Sequence, residues 1–351
     1  MEHSLPRSKR RVARAAATLA AVLLPMPAIL YAGDGTAPPS GTIAYVTSEI
    51  TWAIYQTADG KAECPDGFGK YGPREVFARL YPKGGTEVDT RLVRESLKLF
   101  PLDSKDQFPI PEASGPTATG LNLDGKIGPH DFTGPAGEQG IDNQLYRLIG
   151  CSLLFRAPAG EFRQHGINEL RRSVYNRSMI EITGVDSLEN DDDVTVTILR
   201  GRDPLLTDAS GDHIVPGGTQ RVDTRFSKRF FVQLKGRIVN GQLRTQPADL
   251  LWPWGFFTAA ADEYRIRGAR FQLNLMDTSA AGLLAGYVDV ESFYSTLNAW
   301  PMHQLAYGQL DPSGFHRKLR QLADGYPGQG GAMTAISSAI NISMVRVFLD
   351  R

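Results

Sequence analysis

The stretch FFVQLKGRIVNGQL (Phe230–Leu243) decides how this chain is read. Phe230, Val232, Leu234 and Ile238 alternate with Gln233, Lys235 and Arg237, which is the period of two that puts successive side chains on opposite faces of a strand. Asn240-Gly241 then interrupts the pattern before Gln242-Leu243. Both residues tolerate positive φ, so this dipeptide is the strongest hairpin signal in the sequence.

The same period recurs on either side. Met179–Ile182, Val194–Leu199 (VTVTIL), Tyr264–Met276 and Leu283–Phe293 all carry it. Polar turns at Asp191–Asp193, Ser210-Gly211-Asp212 and Gly217-Gly218 punctuate the region. Repeated short strands with polar turns argue for an antiparallel sandwich or barrel, and the mainly β fold expected is a jelly-roll-like antiparallel β-sandwich over residues 178–300, flanked by helices from the N-terminal segment and the C-terminal tail.

Residues 301–351 read as a helical tail packed on that sandwich. Ser313 can cap a helix over Gly314–Ala323, and Ile336, Ala339, Ile340 and Met344 suggest a second one ending near Phe348. Upstream, residues 42–177 form a mixed segment. Thr42–Thr57 is rich in β-branched and aromatic residues and fits a strand or a short buried helix. Helices are expected over Arg74–Leu80 and Glu87–Phe100. Residues 101–141 hold six prolines and seven glycines and read as a long ordered loop. Asp142 then caps a helix through Leu145, Leu148, Ile149 and Leu153 that carries Cys151.

The first residues have the layout of an export signal. Arg7, Lys9, Arg10, Arg11 and Arg14 precede the apolar run Ala15–Leu24, Pro25, Pro27 and the small-residue end Tyr31-Ala32-Gly33. Arg10-Arg11 leaves both the Sec and the twin-arginine routes open. Cleavage near residue 32 and a flexible linker over 33–41 would deliver a periplasmic or extracellular protein. The apolar stretch is short of the ~20 residues a membrane span needs, so no span is expected after cleavage.

Of 38 basic and 38 acidic residues, the leader takes five basic and one acidic, leaving a slightly acidic mature chain. Without a clustered basic footprint, nucleic acid is not the expected partner. The two cysteines, Cys64 and Cys151, predict one disulfide in an oxidising compartment, with two buried thiols as the alternative.

Four constellations could carry chemistry. Asn122, Asp124, Gly125, Ile127 and Asp131 resemble positions three, five, six, eight and twelve of a dockerin-type or EF-hand-like calcium loop. Gly120 stands where the first Asp belongs, and Glu138, Asp142 and Asn143 could complete the site. The expected metal set is therefore Asn122, Asp124, Asp131 and Asp142, with calcium as the cofactor; Asx-turns explain the same residues without an ion. Ile127, Phe132 and Ile141 supply apolar anchors for the loop. The acidic run Glu189–Asp193, with Asp186, and the turn Asp208–Asp212 read as solvated tips or cation sites.

Asp289-Val290-Glu291 follows Tyr287 on an expected strand. Residues two apart face one side at about 7 Å, near the carboxyl pair of a retaining glycosidase, about 5–5.5 Å apart. Asp289 and Glu291 resemble the last two positions of the Glu-x-Asp-x-Glu motif of laminarinase-like glycoside hydrolases. Tyr287 stands where the nucleophilic Glu belongs. Trp252 and Trp254, in the cluster Trp252–Phe257, could stack on sugar rings or plug the core. The histidines are scattered, and neither a nucleophile elbow nor a phosphate loop occurs. The sequence therefore predicts an exported non-enzymatic binding or structural protein for a small molecule, a glycan or an envelope protein. An exported carbohydrate-active enzyme using Asp289 and Glu291 is the alternative.

Overall fold

The computed structural model describes residues 38–68, 83, 110–153, 155–156, 177–211, 213–225, 228–254, 263–298 and 312–351. The expected export signal, most of the expected linker and the helices expected over Arg74–Leu80 and Glu87–Phe100 lie outside the described residues. The period-two segments become β2 (Arg177–Thr183), β3 (Asn190–Gly201), β5 (Val232–Val239), β6 (Gln242–Thr245), β8 (Glu263–Leu275) and β9 (Ser279–Asp289). Thr42–Trp52 is β1, and the short strands are β4 (Gly218–Arg221), β7 (Ala248–Pro253) and β10 (Gly325–Pro327). Met333–Asp350 is the long β11. Among the described residues the α-helices are α1 (Gln144–Ile149), α2 (Val290–Asn298) and α3 (Pro312–Leu322). Asn240 and Gly241 both take positive φ, 51° and 75°, and turn β5 into β6 as expected.

The expected jelly-roll-like sandwich is overturned. The sheet runs β1-β2-β3-β5-β6-β8-β9-β11, and β11 returns to pair with β1, closing an antiparallel barrel of eight strands. Alternation is common to sandwiches and barrels. What separates them is whether the first and last strands meet, and Ala44 opposite Val347 through Trp52 opposite Ile340 is that meeting.

The helical tail is corrected in part. Helix α3 forms near the expected place, but Ile336–Phe348 lies within β11. A spacing of four belongs to a helix turn and equally to two strand repeats. Ile336, Ile340, Ile342 and Met344 are all buried in the one large core, on the lumen face of a strand rich in β-branched residues.

Apolar side chains from Tyr45, Ile180, Val196, Leu234, Phe271 and Ile340 fill the lumen. Aromatic residues plug one end: Trp52 sits 5.0 Å from Phe155 and 5.2 Å from Trp254, and Trp254 lies 5.1 Å from Tyr264. Helices α2 and α3 close over this end, where Phe293 and Phe315 join the same core. No helix among the described residues is long and apolar enough to cross a membrane.

The loop after residue 110 is irregular and lies on the outer face of β9 and β11. Leu123 packs there against Ala285 and Ala339, whose small side chains leave room for it. Phe132 and Ile141 are buried anchors as expected, whereas Ile127 is 72% exposed. Asn143, not Asp142, caps α1, and Cys151 follows the helix instead of lying on it. Cys64 and Cys151 form the disulfide.

Candidate functional site

The site begins with an irregularity in β8. Arg267 pairs with Tyr287 and Arg270 with Ala285, a register shift centred on Gly268, whose φ is 57°. In an unbroken strand, residues three apart would face opposite sides. The bulge turns both arginines to the outer face. Arg270 donates to the carbonyls of Asn122 and Leu123, clamping the loop to the barrel. Arg267 donates from Nη2 to Asp289 Oδ2 at 2.9 Å.

Asp289 is the last residue of β9, and its other oxygen accepts the Ser292 backbone N–H at 2.9 Å, capping α2. Glu291 therefore sits in the first helical turn, not two residues along a strand. On α3, His316 and Arg320 are four residues apart and share a face. His316 Nε2 lies 3.0 Å and Arg320 Nε 3.0 Å from the Glu291 carboxylate. His316 itself is buried, with its ring 4.5 Å from that of Tyr294.

Arg267, Asp289, Val290, Glu291 and Arg320 line a cleft of about 610 Å³, completed by Gly328, Gly330, Ala332, Met333 and Thr334 of the β10–β11 hairpin, with His316 buried behind Glu291. Asp289 and Glu291, paired from the sequence, do share this cleft, but each is ion-paired to a guanidinium. Sequence reasoning missed Arg267, His316 and Arg320. They lie more than twenty residues from the acids, and only the bulge and the packing of α3 bring them in.

The other expected residues go elsewhere. Trp252 and Trp254 are buried, Trp252 against Phe271 at 5.5 Å, and have no face to offer a sugar. Asn122 accepts the Gly125 N–H, Asp124 that of Lys126, and Asp131 that of Gly128. Asp142 accepts from Leu123 and Asp124, and its burial pushes its carboxyl above the usual range. Asp191 likewise accepts backbone N–H groups at its turn, and Asp193 pairs with Lys235. Among the described residues, no three or more His, Cys, Asp or Glu side chains gather as a metal site.

No family model, curated protein or solved structure matches this chain. The cleft is read on its own chemistry.

Proposed function

We propose that this protein is an exported, non-enzymatic binding protein whose ligand sits in the cleft between β8, α2, α3 and the β10–β11 hairpin. One observation carries the reading: both carboxylates in the cleft are tied to guanidiniums. A glycosidase needs two carboxyl groups turned toward one scissile bond, whereas here each is turned onto its own cation, Asp289 onto Arg267 and Glu291 onto Arg320. Fixed charges of both signs on rigid elements suit recognition of a polar small molecule. The disulfide supports export, since such bonds persist in oxidising compartments.

The test is a ligand-observed NMR screen of saccharides and short peptides against the wild type and Thr334→Trp, whose indole fills the cleft. Hits for the wild type are expected to vanish in the variant. Turnover of a hit, abolished in Glu291→Gln, would instead make the protein a carbohydrate-active enzyme.

A further inference from the structure

Tyr326 is the one aromatic residue among the described positive-φ residues, at 57°, and Pro327 follows it. Left-handed backbone is unfavourable for a bulky side chain, and a following proline restricts the residue further. Such strain persists only where surrounding structure enforces it, and it concentrates at functional sites. Here it holds the ring edge-on to Tyr287, 5.5 Å between centroids, with the Arg267 guanidinium 5.1 Å above it. Gly268 makes the room: a Cβ there would stand 3.1 Å from the Tyr326 hydroxyl. Thr334 of the cleft wall bonds to the Tyr326 carbonyl at 2.7 Å. Arg267 is thus fixed by a ring on one side and by Asp289 on the other.

Both guanidiniums of the cleft are anchored sparingly. Arg267 spends one N–H on Asp289, and Arg320 lies against Glu291 through Nε. A guanidinium carries five donors in a planar fork, and the unspent ones match a carboxylate two by two. Asp289 and Glu291 would repel a doubly charged phosphate more than a singly charged carboxylate, and their remaining lone pairs suit hydroxyl groups. Met333 lines the same cleft and is 42% exposed, an apolar surface for the C–H face of a ring.

We infer that the cleft takes an acidic sugar, a short uronic acid oligosaccharide, with its carboxylate on Arg267 and Arg320 and its hydroxyls on Asp289 and Glu291. Met333 lies under the ring, and Tyr326 is the positioning residue for Arg267. This rests on the binding reading above.

The experiment is calorimetric titration of the full mature protein with tri-galacturonic acid, its methyl ester and inorganic phosphate. The acid is expected to bind about tenfold tighter than the ester, and Arg267→Gln to remove about that factor. Tyr326→Phe keeps the ring and should bind like the wild type. Tyr326→Gly should bind about tenfold more weakly while melting no lower than the wild type, because the strain is released. A purely structural tyrosine would give the opposite pair: a lower melt with unchanged binding. Equal binding of acid and ester, or tighter binding of phosphate, overturns the acidic sugar. Loss of a different screening hit in Arg267→Gln would then keep the cleft as the site. Hits indifferent to both Arg267→Gln and Thr334→Trp overturn the binding reading itself.

Discussion

Asp324 joins α3 to β10, and its carboxylate accepts the Ser337 backbone N–H at 2.7 Å and the Ser337 hydroxyl at 2.6 Å. The Ser337 oxygen in turn accepts the N–H of Gln144 at the start of α1. Burial outweighs these bonds and, with the Asp142 carboxylate facing it from the loop, pushes its pKa up to about 6. An unfolded aspartate titrates near ~3.9, so between these values the folded state holds the extra proton. The stability this contributes is full below the unfolded value and is lost as pH rises through about 6. Relative to Asp324→Asn, the wild type should lose about 2 kcal/mol between pH 4 and pH 7, read from urea melts of both proteins. Parallel pH curves for the two would show that Asp324 is not held this way. At this same scale, the sequence exposed Asp289 and Glu291 because they are neighbours in the chain. It could not expose Arg267 or His316, whose roles come from a bulge and a helix face. The calcium-like loop shows the converse. Asp124 and Asp131 follow a pattern shared by ion ligands and Asx-turns, and the turn is what the backbone hydrogen bonds display.

Among the elements, the irregular loop is held by more than its anchors. The disulfide from Cys64 to Cys151 ties the segment after β1 to the end of α1. Beside it Arg156 donates to Glu63 at 2.5 Å and to the Gly150 carbonyl at 2.6 Å. Hydrogen bonds from Thr57 and Arg156 hold the Glu63 carboxyl below its usual range against the opposing effect of desolvation. Closing so long a loop constrains the unfolded chain, so replacing both cysteines by serine should cost about 4 kcal/mol. Melts of the double variant, and of the wild type with and without reductant, check this. Equal melts would mean the buried ion pair alone suffices. The pairing was legible in the sequence because only two cysteines exist. The nature of Ile336–Phe348 was not, because residues four apart satisfy either periodicity and the partners that settle it, β1 and β9, lie far away in the chain.

For the whole molecule, barrel closure makes neighbouring residues of β11 behave oppositely. Ile342 is buried in the lumen core, while Asn341 is exposed on the outer face. Ile342→Asp buries an unpaired carboxylate and should cost about 4 kcal/mol or more, enough to abolish cooperative melting in a protein of ordinary stability. Asn341→Asp should melt within a degree or two of the wild type. Near-UV circular dichroism and thermal melts of the pair test the register directly, and similar behaviour of the two would refute it. The sequence by itself determined the strand-rich class, the β5–β6 hairpin, the disulfide and the closeness of Asp289 to Glu291. Each follows from chemistry within a few residues or from a pair with no competitor. Only the tertiary structure decided that the sheet closes, that the last long segment is a strand, that the tryptophans plug the core and that arginines neutralise the acids. Those outcomes depend on which distant surfaces meet, and local periodicity carries no information about distance across a fold.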